Sequence, residues 1–293
     1  FGSRDAQGGG FRFSPRPRAS RGRREAMRRR STPRRAAAFA ALAAALPGLA
    51  GLLPGRPTWP TFALGAPALF GAGARTAAER ARRRALSQED LEAVKAGAGE
   101  GDAEALYTYG VLLLQGDGVP QDEALAVQYL RQAADLGNVD AQYVSGAVLL
   151  RSGQQGDSQW GVHYLNLAAQ QEEPRAMYEL GMALLSGSGT ARDDQKGASW
   201  ISASAGKGLA DAQFQMGTLL LGGVGVEKKP EWAIYWFTQA AEQGSVEAMY
   251  NLGLMHDTGE GCEVNKELAK GYLQRAANLG DEESAKALEK LFG

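Results

Sequence analysis

The stretch LLLGGVGVEKK, from Leu219 to Lys229, places glycines ahead of two lysines. Phosphate-binding loops use that combination, because glycine lets backbone N–H groups turn toward an anion. The spacing does not fit. A P-loop starting at Gly222 needs its second glycine at position 227, which is Glu227. A dinucleotide loop built on Gly223 and Gly225 needs a third at 228, which is Lys228. A second candidate is Cys262, with His256 six residues before it, a pair that could make a nucleophile and its base. No acid with a clear orienting role accompanies them. His163 precedes Tyr164 on a helix and reads as half-exposed.

Counting closes further routes. Two histidines and one cysteine cannot build a three-histidine metal cluster, a zinc ribbon or an intrachain disulfide. The acidic residues are spread through turns. The expectation is therefore no enzyme activity: no catalytic, cofactor or metal site, and no small-molecule substrate.

Charge divides the chain. Residues 1–84 hold 18 Arg, no Lys and three acids, a balance of +15. The remainder holds 14 basic and 30 acidic residues, a balance of −16, which disfavours nucleic acid as its partner. The stretch 1–35 is rich in Arg, Ser and Pro and poor in acid, the pattern of an organelle transit peptide. Residues 36–53 are uncharged and follow Arg34-Arg35, which resembles a twin-arginine signal for the thylakoid lumen. The same segment is near the lower length for a membrane span, although Pro47 and Gly48 interrupt it. A bipartite targeting signal, a retained anchor and plain compositional bias all stay open. A plastid or mitochondrion is the expected destination, with membrane attachment as the alternative. Residues 54–86 read as a Pro/Gly- and Arg-rich linker.

The loop at Gly223 recurs. GDGVPQD, GSGTARD, GVGVEKK and GEGCEVN begin at glycines 116, 187, 223 and 259. The glycines that end ALYTYG, AQYVSG, AMYELG, AQFQMG and AMYNLG stand at 110, 146, 181, 217 and 253. Positions 137, 172, 208, 244 and 280 are glycine except Glu172. Steps of 35 or 36 residues at three markers, with one step of 71 in the loop series that spans two repeats, specify an array of two-helix units. Cys262 occupies the place of Val119, Thr190 and Val226, so it reads as a small loop residue.

Local rules build each unit. Helix A starts near the Ala of A-x-Y-x-x-G and stops at Gly-x-Gly, which supplies left-handed backbone. Helix B starts after Asp122, Asp157, Asp193, Lys229 or Asn265, and four of those five are good caps. Pro230 suits the first helical position of the exception. Helix B carries Tyr129, Tyr164, Trp200, Trp236 or Tyr272, expected to fill the space beside a pair of small residues.

These residues resemble the Sel1-like repeat family, relatives of the tetratricopeptide repeat. The matching pattern is A-x-Y-x-L-G…G-x-G-V…D…A…Y-L-x-x-A-A-x-x-G. The fold class is then all-α, an α-solenoid over 87–293. It has a cap helix at 87–100, repeats at 105–140, 141–175, 176–211, 212–247 and 248–283, and a closing helix at 283–292. Repeat 2 departs most, with RSGQQGD in place of the glycine loop. Ser87 and Asp90 read as a capping pair, and Leu288 and Leu291 as inward-facing.

In such superhelices helix A lines a concave face that holds a peptide or helix. The candidate groove here is Tyr107, Tyr143, Tyr178, Phe214 and Tyr250. One turn on come Val111, Met182, Thr218 and Leu254, and beside the ladder Glu179, Gln215 and Asn251. The rings could equally be core, repeated because every unit packs alike. The resemblance implies a protein or peptide partner, and the acidic charge favours a basic one. It implies an adaptor in complex assembly, quality control or signalling. Some bacterial relatives are linked to β-lactam hydrolysis, for which no residue set stands out here.

Overall fold

The computed structural model describes residues 88–152 and 155–293, apart from the side chain of Gln155. The readings of 1–35, 36–53 and 54–86, and the part given to Ser87, lie outside those residues. Among the described residues there are twelve helices and no strand. The first, α1 (Gln88–Gly99), packs on the A helix that follows it. Five A–B pairs follow: α2 (Ala103–Gln115) with α3 (Glu123–Asp135), α4 (Val139–Arg151) with α5 (Gln155–Gln170), α6 (Pro174–Ser186) with α7 (Asp194–Gly206), α8 (Ala210–Gly222) with α9 (Pro230–Glu242), and α10 (Val246–Thr258) with α11 (Lys266–Asn278). α12 (Glu282–Phe292) packs on α11. Each helix packs on its neighbour in the chain, so the fold is an α-solenoid.

The starts and stops follow capping chemistry. Asp122, Asp193 and Asn265 accept from the backbone N–H three residues on, at 2.9–3.0 Å. Lys229 makes no side-chain cap, and Pro230 takes the first position. Asp157 is different from expectation: α5 already begins at Gln155, so Asp157 lies in its first turn. The A helices also begin earlier than the A-x-Y alanine. Asp102, Asn138, Glu173 and Ser245 cap α2, α4, α6 and α10. Gly116, Gly187, Gly223 and Gly259 end their helices in the left-handed conformation. Glu172 is left-handed without being glycine, and Lys207 Nζ holds its carboxylate at 2.6 Å.

The A-helix glycine is where the two helices meet. A Cβ added at Gly110, Gly146, Gly181, Gly217 or Gly253 would stand 2.6–2.7 Å from Leu130, Leu165, Ile201, Phe237 or Leu273. Those five side chains are 0% exposed. They follow the aromatic by one residue, a turn of about 100° around the helix. The aromatics are thus not the main fillers of this space. Tyr164 is buried, and Tyr129, Trp200, Trp236 and Tyr272 are half-buried beside it.

α12 carries the register of a sixth helix A with changes at three marker positions, Ser284 among them. Lys286 stands in the tyrosine place and Glu289 in the glycine place. Leu288 is half-buried, but Leu291 is exposed, contrary to its expected inward position. The buried residue of α12 is Ser284, whose hydroxyl is fully buried without a partner. Its equivalents are Ala105, Ala141, Ala176, Ala212 and Ala248. An unpaired buried hydroxyl costs about 1–3 kcal/mol. Ser284→Ala should therefore stabilise the solenoid by about 1 kcal/mol, read as a higher urea midpoint.

Candidate functional site

The five ladder rings, Tyr107, Tyr143, Tyr178, Phe214 and Tyr250, lie on α2, α4, α6, α8 and α10, and all are half-buried. Each is therefore packed on one side and keeps an open edge. One turn on, Met182 and Leu254 are half-buried and Thr218 is exposed. Val111 is 1% exposed and belongs to the core. Beside the ladder, Glu179, Gln215 and Asn251 are half-buried, whereas Thr108 and Val144 in the first two repeats are buried. The accessible part of the face thus widens toward α6, α8 and α10.

Its charges are arranged by helix starts. The second residue of each A helix is Glu104, Asp140, Arg175, Asp211 or Glu247, one turn before the ladder ring. Arg175 is the exception in sign. Its guanidinium lies 4.5 Å from the centre of the Tyr143 ring and donates to Asp140 Oδ1 at 3.0 Å and Glu173 Oε1 at 2.6 Å. Burial, and then the nearby Asp140, push the Tyr107 hydroxyl up to about 12. Burial, and then Glu179, do the same for Tyr143, up to about 12. Both rings are neutral donors at physiological pH.

Glu179 is an acid held in a partly buried place on this face. Burial raises its carboxyl pKa, Asp211 adds to that, and Arg151 opposes it. The folded chain therefore holds this proton more tightly than the unfolded chain does. Stability from that preference is full below the unfolded pKa of about 4.3 and is lost as pH rises through the folded value. Glu179→Gln should stabilise the protein at pH 7 by about 0.5 kcal/mol. The gain should vanish near pH 4, which urea titrations at the two pH values check.

The structure does bring Cys262 and His256 together, with Sγ 3.4 Å from Nδ1. The imidazole stacks on Tyr272 at 5.8 Å between ring centres. Burial pushes the thiol pKa up and the imidazole pKa down. Both shifts favour the neutral forms, opposite to what a thiolate–imidazolium nucleophile needs. Cys262 Sγ also points to the Met255 carbonyl at 3.7 Å, as a residue closing the α10 loop would.

The glycine loop that suggested phosphate is a packing device. Gly225 faces the first residue of α7, and Gly189 and Gly261 face Ser158 and Pro230, at the matching place on α5 and α9. Asp194, Gln195, Gly223, Gly225, Val226 and Glu227 line a shallow depression of about 400 Å³. Lys228 and Lys229 do not turn into it; they pair with Glu260 and Glu227. Among the described residues no group of three or more His, Cys, Asp and Glu is placed to hold a metal, and no helix is long and apolar enough to cross a membrane.

Sequence reasoning found the ladder but not the acid row or the place of Arg175. The signal was available: five residues at the repeat period, four of them acidic.

Comparison with known proteins fits this construction. The family model described as the Sel1 repeat matches residues 103–138, 174–209, 210–245 and 246–281. The divergent second repeat lies between the first two matches. A crystal structure of a protective antigen present in uropathogenic Escherichia coli strains, displaying an SLR fold, is 30% identical with a TM-score of 0.63. The match covers 66% of this chain and 42% of that one, so this chain spans less than half of the E. coli protein. A Sel1 repeat protein from Oxalobacter formigenes is 24% identical with a TM-score of 0.62, covering 73% of this chain and 88% of that one. No curated protein matches. Sel1 repeats mediate protein–protein interactions, and solenoids built from them are typically non-catalytic. The helix order, the loop glycines and the four matched repeats agree, and the chain belongs to the Sel1-like repeat family.

Proposed function

We propose that this protein is a non-catalytic adaptor whose A-helix face receives a segment of a partner protein. The observation that carries the reading is the half-open state of all five ladder rings. The open edges line one row of A helices, and Tyr is a favoured contact residue because it offers large area at low entropy cost. Gln215, Thr218 and Asn251 beside the rings give polar contacts that differ from repeat to repeat. The acidic charge of this part of the chain favours a basic partner, mainly through association rate.

The setting we propose is assembly or quality control of an organellar complex in a plastid or mitochondrion. Support for that comes from the basic, acid-poor stretch 1–35. Sequencing the N-terminus of the mature protein tests it: a start near residues 75–88 fits a cleaved address, and retention of 36–53 fits an anchor. The adaptor role is tested by proximity labelling with the wild-type chain and a Tyr178→Ala/Tyr250→Ala variant. Partners lost in the variant, with circular dichroism unchanged, support it. An unchanged partner set contradicts it.

A further inference from the structure

The A-helix face contains one occupied example of its own binding chemistry. Asp140 and the Tyr143 ring, three residues apart on α4, hold a guanidinium between them, that of Arg175 from the next repeat. Glu173 takes the remaining edge of the same group. The guanidinium thus has a carboxylate in its plane and an aromatic ring against its face, the two contacts it makes best.

The same acid-and-ring pair recurs as Asp211 with Phe214 on α8 and Glu247 with Tyr250 on α10. Both acids are exposed and both rings half-buried. In each case the next repeat supplies an acid and not a cation: Glu247 follows Asp211, and Glu283 follows Glu247. Among the described residues neither Asp211 nor Glu247 is in an ion pair. The chain fills one clamp; a further pair, Glu104 with Tyr107, has its half-buried carboxylate accepting from Asn138 Nδ2 at 3.0 Å, and the remaining two are left exposed with excess negative charge.

We infer that these two clamps take arginine side chains of the partner, in the way Asp140 and Tyr143 take Arg175. This inference rests on the adaptor reading and names the partner's chemistry: an extended basic segment. Packed helices lie about 10 Å apart. An extended chain rises about 3.3 Å per residue. Arginines three residues apart therefore reach successive clamps, whereas adjacent arginines reach only one.

The test uses the full chain and fluorescein-labelled peptides, read by anisotropy. One peptide carries Arg-x-x-Arg in a Gly/Ser background, a second carries the two arginines side by side, and a third has glutamine in both places. The first should bind best, and Asp211→Asn/Glu247→Gln should weaken it by about fivefold per acid removed. Arg175→Ala empties the Asp140–Tyr143 clamp and should strengthen binding of a three-arginine version whose third arginine lies six residues from the nearer of the pair, because the A helix between the Asp140 and Asp211 clamps offers no acid at the matching place. Equal binding of the glutamine peptide, or no loss in the double variant, overturns the inference. If partners captured in cells are lost with Tyr178→Ala/Tyr250→Ala but kept with Asp211→Asn/Glu247→Gln, the adaptor reading stands and the arginine clamp falls.

Discussion

Phe237→Ala should destabilise the solenoid by about 3–5 kcal/mol, the usual range for removing a buried ring. Phe237 is 0% exposed and rests on Gly217, where an added Cβ would meet its ring carbons at 2.7 Å. Its ring also packs on Phe214, 5.8 Å between centres. The surrounding cluster runs from Ile201 on α7 through Met216 and Leu220 on α8 to Leu252 on α10. Truncation therefore empties a space that three repeats share. Phe237→Leu is the control, since Leu130, Leu165 and Leu273 fill the same place elsewhere. It should cost under about 1.5 kcal/mol. Urea unfolding followed by circular dichroism reads both. In a one-dimensional array the alanine variant should also lower the slope of the transition, because the ends unfold separately.

Gly225→Ala is the second large effect, and Gly118→Ala is its internal reference. The two glycines have nearly equal backbone angles, φ 68° and 71°. The left-handed conformation alone costs an alanine about 1–2 kcal/mol at each. Only their surroundings differ. A Cβ at Gly118 meets nothing within 4 Å, whereas at Gly225 it would lie 2.6 Å from the Asp194 carbonyl carbon. That neighbour is the backbone at the start of α7 and cannot rotate away. The loop must lift from the preceding repeat. Gly118→Ala should lose about 1 kcal/mol and Gly225→Ala at least about 3 kcal/mol by the same urea measurement. Equal losses would mean that the loop glycines serve only the turn.

These two cases show what the sequence carries plainly and what it hides. The period was legible because the same packing problem recurs, and it selects glycine at the same places each time. Caps at Asp122, Asp193 and Asn265 were legible because they act on backbone three residues away. The place of Phe237 was not, because two aromatics stand side by side and one residue turns the helix by about 100°. The depth of Gly225 was hidden for a different reason. Its neighbour is 31 positions earlier, in another repeat, and local rules read Gly118 and Gly225 alike. Repeat 2 shows a further limit: with the glycine loop gone, α5 starts before the Asp157 that would have capped it.

The candidate site divides in the same way. The ring ladder follows from the repeat marker, but its half-exposure depends on how each A helix sits against the next. Val111 was placed with the ladder by spacing and is buried. Arg175 was invisible as a ligand of Tyr143, since the contact joins residues 32 positions apart and crosses between repeats. The Cys262–His256 contact is real geometry, but burial moves both groups toward their neutral forms.

The central claim is that the A-helix face is the partner surface. Photo-crosslinking tests it most directly. A benzophenone side chain is placed at Gln215 or Asn251 on that face, and at exposed Ser199 on helix α7 as the reference. Irradiation in intact cells should join a partner to positions 215 and 251 and leave 199 unlinked. Crosslinks from 199, with none from 215 or 251, would contradict the account.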